Sequence, residues 1–397
     1  MVSIRWVEIE SYLKEKNLLG KMRFWRQTIE NIKDFSGTSP PSVFVGSFKY
    51  PHVFLGILSP PVKQENAWLL DSPEQWYKNR ASIDDVLMYR SEMIYSRFVS
   101  NVKNVKGKLI DVLQELAMSK KQADVEVELK KNPVFRFNLD QRMTPIGNPA
   151  PLSQAKIIGN PLVERKVDYI VSDLSLNATE AAMKLYRSNV PISRIQKMFS
   201  TGLLGLKFQR RFVPTRWSIT AVDDTISKNI LAKVRTYPEL NEHRVFYNEY
   251  LGNHYHVLLI PAPYQFELVE IWDLEGKAVS SADYEPYWGR KDYAYQTAGA
   301  FYSARLAAME YLEKIKRQAA ILVVREVTKE YYLPLGIWQL RESLRDSFNK
   351  PFDRFSDLGS AVKKINEKTN TIWMNRSKLL RNLREQTKLN AFMKKTK

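Results

Sequence analysis

The sequence predicts an α+β fold: a mostly antiparallel central sheet flanked by helices, with a helical basic C-terminal extension. Three observations carry this. The segments 216–220, 255–260, 267–272 and Ala320–Val327 have strand length and β-branched or aromatic content. Helical patterns do not alternate regularly with them, which argues against a doubly wound sheet. The hydrophobic fraction, 44% with 12% aromatic over 397 residues, suffices for a sizeable core.

In chain order, residues 3–35 read as charged helices broken near Gly20 and anchored by Trp6, Leu13, Leu18, Phe24, Trp25 and Ile29. The pairs Pro40-Pro41 and Pro60-Pro61 bracket residues 42–58. There Val43, Phe44, Val45, Phe48, Val53, Phe54 and Leu55 predict a strand or hairpin, because such pairs mark rigid turns. Pro73, with Ser72 as cap, opens a helix. A second helix is expected over 83–99 and a third over 108–120, while 125–139 alternates like a strand. The proline-rich stretch 148–161 is the most linker-like interior segment. Residues 161–200 return to helix, with a capped start at Asn177 in the run Ser175 to Glu180. Pro261-Ala262-Pro263 predicts an antiparallel connection between its flanking strands, and 298–317 a strong amphipathic helix. From Arg376 onward Glu385 is the single acid, which suggests a basic surface helix running into a disordered end.

Lys+Arg outnumber Asp+Glu by 61 to 43, a net charge of +18. That balance favours a polyanionic partner, nucleic acid before an anionic membrane. The absence of cysteine excludes disulfides, cysteine zinc sites, iron–sulfur clusters and thiol catalysis. No apolar run approaches the length of a membrane span, and the first residues mix charges where a signal peptide would be apolar. The expected location is therefore cytoplasmic, at the nucleoid, with no membrane partner.

The densest unusual stretch begins at Gly202 and Gly205 and continues with Lys207, Arg210, Arg211 and Arg216, with Phe208, Phe212 and Trp217 among them. Interleaved cations and rings suit a phosphate-tracking, base-stacking surface. The other reading is a basic turn leading into an edge strand, with Trp217 in the core. It is not a P-loop, since the Gly-Lys-Ser/Thr ending is missing. Asp223 and Asp224, with Glu326, are candidate catalytic carboxylates. They would hold Mg²⁺ for phosphodiester chemistry if partners such as Glu267, Glu270 and Asp273 converge. The same Asp pair also suits a cap for a helix starting near Thr225. His254 and His256 share a strand face but have no third ligand nearby in sequence, so no metal site is assigned. Residues 284–295, with Arg290 and Lys291, form either a stacking platform or an aromatic satellite core. No cofactor is implied beyond Mg²⁺ should the body be catalytic.

The tail carries Gln386, Leu389, Phe392 and Met393, matching Q-x-x-aliphatic-x-x-aromatic-apolar, the pattern that docks on the PCNA sliding clamp. A single 3₁₀ turn overlays positions i and i+3, so the apolar side chains form one plug beside the Gln386 amide. Expected partners are thus PCNA and DNA; the sequence sets no oligomeric state.

The run Ser39-Pro40-Pro41-Ser42-Val43-Phe44-Val45-Gly46, the string Val213-Pro214-Thr215-Arg216-Trp217-Ser218-Ile219-Thr220-Ala221-Val222-Asp223-Asp224, and Pro334-Leu335-Gly336-Ile337-Trp338 carry a resemblance. Over about residues 36–350 the chain resembles the Nre family of archaeal DNA repair proteins. The resemblance implies a role in the DNA damage response and a C-terminal PCNA-interacting peptide, which falls on Gln386, Leu389, Phe392 and Met393. Many members carry a cysteine-rich, metal-binding N-terminus. This chain departs from that, offering Leu19, Phe24 and Trp25 as apolar packing instead. The resemblance supplies no catalytic mechanism. The expected organisation is an N-terminal helical segment (1–35), an α+β Nre core (36–350), a basic helical extension (351–385) and a PCNA-interacting tail (386–397). The expected function is a repair protein that binds DNA through its basic body and is tethered to PCNA. The alternative is a metal-dependent nuclease or a nucleotide- or phosphate-processing enzyme.

Overall fold

The structure, a computed structural model, describes residues 26–274 and 277–385; residues 1–25 and the clamp-like string at 386–397 lie outside them. The chain is α+β and divides into two compact units, residues 26–226 with 333–338 and residues 227–332 with 339–385.

In the first unit the chain runs β1 (Asp34–Ser39), β2 (Val43–Val45), β3 (His52–Ser59), α1 (Pro73–Lys78), α2 (Ile83–Ser91), β4 (Ile94–Asn101), α3 (Lys108–Met118) and β5 (Ala123–Leu129). It continues through β6 (Phe137–Asn138), β7 (Ile146–Gly147), β8 (Pro149–Ile158), α4 (Arg165–Ser172), α5 (Ala178–Arg187), α6 (Ile192–Ser200) and the start of α7 (Thr215–Val234). The sheet order is β1-β5-β8-β4-β3-β2, antiparallel except for β4 beside β8. β5 shows why a half-buried strand alternates: Val125, Val127 and Leu129 are buried while Glu126 and Glu128 face water. Gly56 lets β4 approach β3 closely, because a Cβ there would lie 2.3 Å from the Ser96 carbonyl and 2.7 Å from the Tyr95 ring. Asp71 binds Arg90 at 3.0 Å and Lys197 at 2.8 Å, and Lys197 also donates to the Pro41 carbonyl. Burial would raise the Asp71 carboxyl, but the two cations outweigh it and hold the group below its usual range.

The second unit adds β9 (His243–Tyr250), β10 (Asn253–Ile260), β11 (Gln265–Leu274), β12 (Lys277–Glu285), α8 (Gly299–Ile315) and β13 (Ala320–Val327). It ends with α9 (Trp338–Ser347), β14 (Asp353–Phe355), α10 (Leu358–Asn366), α11 (Trp373–Arg376) and a helix at 378–385. The sheet order is β12-β11-β13-β10-β9-β14, with β11 and β13 parallel. One face carries Leu258, Leu322, Val324 and Ile271 against Ala361, Ile365, Trp373, Leu379 and Leu380. On the other face Phe266 meets Phe301 of α8 at 4.9 Å, and Phe246 meets Phe348 at 5.1 Å.

Several local expectations are corrected by the sheets. Residues 216–220 are not a strand but the opening of α7. The buried positions Ser218, Val222, Ile226, Ile230 and Val234 recur every fourth residue, and that period outweighs the local β-branched content. The helix expected over 83–99 stops at Ser91, and the rest is β4. The stretch 148–161 is no linker, since β8 lies inside the sheet. Its prolines are tolerated because Pro149 and Pro151 accept, from Val134 N–H and Lys130 N–H, and need not donate. The strand expected over 125–139 ends at Leu129, and β12 was not foreseen. β10 and β11 do run antiparallel, as Pro261-Ala262-Pro263 predicts, but they are not neighbours, because β13 takes the position between them. The central sheet expected from sequence is two six-stranded sheets. The helix at 378–385 is basic outward, but Leu379 and Leu380 are core.

Candidate nucleic-acid interface

Two observations converge at the end of the first sheet. The β2–β3 hairpin projects Phe48 and Tyr50, 70% and 47% exposed, and Trp217 of α7 packs on Tyr50 with ring centroids 5.3 Å apart. Thr215 Oγ1 accepts from Val45 N–H at 3.0 Å, which fixes the start of α7 to this hairpin. Beside these rings opens a cavity of about 600 Å³, lined by Phe44, Phe54 and Tyr95 and by Arg97, Arg136 and Arg216. Phe44, Tyr95, Met143 and Ile146 form its apolar floor. Tyr95 and Arg97 stand on one face of β4 by the two-residue strand period.

The cavity's electrostatics are one-sided. The Arg97 guanidinium lies 4.1 Å from the Phe54 ring centroid and 5.7 Å from that of Tyr95. Burial pulls the Arg97 pKa below its ordinary value; the Tyr95 hydroxyl opposes this and the Arg136 cation reinforces it. Arg216 Nε is buried without a hydrogen-bond partner. The one carboxylate in the lining, Asp140, pairs with Arg142 at 3.3 Å. Among the described residues no carboxylate neutralises Arg97, Arg136 or Arg216.

The other candidates named from sequence fall in different settings. Lys207 and Arg211 are exposed, and Phe208, beneath the Lys207 ammonium at 5.9 Å, is 95% exposed. Arg210 donates to the carbonyls of Gly205 and Val171, so it braces the glycine turn. Arg290, in the second unit, donates to Asp283 and to the Tyr284 and Tyr293 carbonyls; Trp288 and Tyr295 are exposed, whereas Tyr293 stacks on Tyr302. Asp223 and Asp224 are consecutive on α7 and so point about 100° apart. Asp223 is fully buried and accepts from Gln196 Nε2 at 3.0 Å. Glu326 accepts from Asn370 N–H, Glu270 pairs with Arg325, and the Asp273 side chain lies outside the described residues. Glu267 accepts from Ser377 and from the N–H groups of Lys378 and Leu379, capping the helix at 378–385. Among the described residues no group of three or more His, Asp or Glu is arranged to hold a metal ion. No helix among them is long and apolar enough to cross a membrane.

The geometry leaves the family to be settled by comparison. Family models described as "Archaeal Nre, N-terminal" and "Archaeal Nre, C-terminal" match residues 12–276 and 285–392. The chain belongs to the archaeal Nre family. Among Nre relatives it is 35% identical to DNA repair protein NreB of Archaeoglobus fulgidus, over 91% of this chain and 93% of that one. It is 35% identical to DNA repair protein NreA of Haloferax volcanii, over 86% and 84%. It is 34% identical to DNA repair protein NreA of Archaeoglobus fulgidus, over 93% and 95%. No solved structure matches the chain.

Sequence reasoning reached Arg216 and Trp217 but missed Phe44, Phe54, Tyr95, Arg97 and Arg136 as site residues. The signal for Arg97 was an arginine two residues from Tyr95 in a β-branched and aromatic run, hidden when that run was read as helix.

His256 gives a separate test of the second unit. It is 2% exposed, its Nε2 has no partner, and the Tyr247 ring lies 4.8 Å away. Burial, with His254 and Lys368 adding positive charge nearby, pushes its pKa down to about 4. The neutral ring is therefore favoured in the native state, so its contribution is complete above the ordinary histidine pKa. It is lost as pH falls from about 6.5 through about 4. Denaturant titrations are expected to show wild type losing about 3 kcal/mol more over that window than His256→Gln. Equal losses would contradict the burial.

Proposed function

We propose that this chain is a DNA repair protein that binds DNA through the cationic, aromatic end of its first unit and is tethered to PCNA by residues 386–397. The observation that carries the DNA reading is the exposed ring set Phe48, Tyr50 and Trp217 beside Arg216 and a cavity with unneutralised arginines. Rings accept bases and cations accept phosphates, the combination used on single strands. The names of the Nre relatives support repair as the setting. The tail reading is supported by the spacing of Gln386, Leu389, Phe392 and Met393. A weak clamp contact and a weak DNA contact on one chain reinforce each other through effective concentration.

Binding to a single-stranded oligonucleotide across a salt series tests the surface. Arg97→Ala with Arg216→Ala is expected to flatten the slope of log K against log salt by roughly 1.4, the value for two lost phosphate contacts. Trp217→Ala is expected to weaken binding roughly 10–100-fold by removing a stacking ring. Unchanged slope and affinity would exclude this surface.

A further inference from the structure

We infer that the cavity behind the Phe48–Trp217 surface is a binding pocket for one nucleotide, the base held among Phe44, Phe54 and Tyr95 and the phosphate by Arg97, Arg136 and Arg216. The inference deepens the DNA-binding reading and rests on it for the strand-borne case. Its volume, about 600 Å³, lies within the range of small-molecule sites. Its walls divide by chemistry as a nucleotide does. The ring wall is apolar and continuous with the Leu58, Leu70 and Met93 cluster, so it suits a flat base. The cationic side holds three guanidinium groups, with Arg136 close enough to Arg97 to disfavour its charge. Arg216 lines the same side. An oxyanion among them relieves the mutual repulsion and accepts from the guanidinium groups that line the cavity. Asp140 does not oppose this, since Arg142 already pairs with it.

The nucleotide has two sources with the same chemistry: a unit turned out of a DNA strand, or a free mononucleotide. A strand-borne base costs a few kcal/mol to unstack, least where it is mismatched or single-stranded. Gly46 lines the cavity, and a Cβ there meets Phe54 no closer than 3.5 Å, so Gly46→Leu adds bulk at the cavity wall and removes no arginine.

The test uses the full chain, wild type and Gly46→Leu, with a 5-iodouracil-bearing single-stranded oligonucleotide and, separately, dAMP. Photocrosslinks mapped to Phe44, Phe54 or Tyr95, and reduced at least tenfold in Gly46→Leu while crosslinks at Tyr50 or Trp217 persist, establish the strand-borne nucleotide. Calorimetric binding of dAMP that is lost in Gly46→Leu, without pocket crosslinks, establishes the free one. Crosslinks confined to Tyr50 or Trp217 and equal in both proteins, with no dAMP binding, overturn the pocket while leaving the DNA-binding surface standing. Absence of any DNA binding defeats the surface reading independently, and the dAMP arm then still decides the pocket. Arg136→Ala, at an exposed position, provides a second variant with the same expected loss should Gly46→Leu not fold.

Discussion

Leu389→Ala combined with Phe392→Ala is expected to weaken binding to the PCNA clamp roughly 100–1,000-fold while leaving the melting temperature unchanged. The physical argument is short. On the proposed docking, a 3₁₀ turn would overlay these two side chains for entry into one pocket. Burying each is worth about 1.5–3 kcal/mol, so losing both removes about 3–6 kcal/mol less whatever the alanines retain. The contrasting variant is Leu379→Ala, which empties a fully buried position on the helix packed against the second sheet and should lower stability by about 2–5 kcal/mol. Clamp affinity measured by calorimetry, beside thermal unfolding of both variants, separates docking from folding. Clamp binding that survives the double substitution would remove residues 386–397 as the tether.

Arg305→Ala is expected to be the most destabilising polar substitution in the second unit, at about 3–5 kcal/mol and roughly 10 °C in melting temperature. Arg305 and Glu285 are each 1% exposed and pair at 2.5 Å. Tyr264 donates to the second Glu285 oxygen at 2.8 Å, and Arg305 Nε donates to Ser227 at 3.1 Å. Burial first, then the Glu285 charge, pushes the Tyr264 pKa well above its ordinary value, so the phenol keeps the proton it donates. Removing the guanidinium strands a carboxylate in the core, and that uncompensated charge is the source of the cost. Arg305→Met with Glu285→Leu removes both charges and should recover most of the loss. Calorimetric unfolding measures both. A loss under about 1 kcal/mol for the single variant would mean that water reaches the pair.

Legibility in the sequence followed locality. Ala320–Val327 was readable because its unbroken apolar start, Ala320 to Val324, states its own burial. The start of α5 was readable because Asn177 caps Glu180 N–H three residues away. The span 216–220 misled because Ile219 and Thr220 favour strand over five residues, whereas the four-residue burial period shows only over the whole of α7. The cavity was the least legible part. Its rings and cations come from β2, β3, β4, β6 and α7 with the segment around Arg136, and no short window contains two of its arginines.

By itself the sequence determined the α+β class, the excess of positive charge, the exclusion of cysteine chemistry, the likeness to Nre proteins and the tail pattern, each a property of composition or of short spacing. The tertiary structure alone decided that β13 separates β10 from β11 and that prolines sit inside a sheet. It alone decided that Arg210 braces a turn while Arg216 faces a cavity. The reason is physical: a side chain's partner is set by which distant strand lies beside it, and that choice belongs to the packing of the whole sheet.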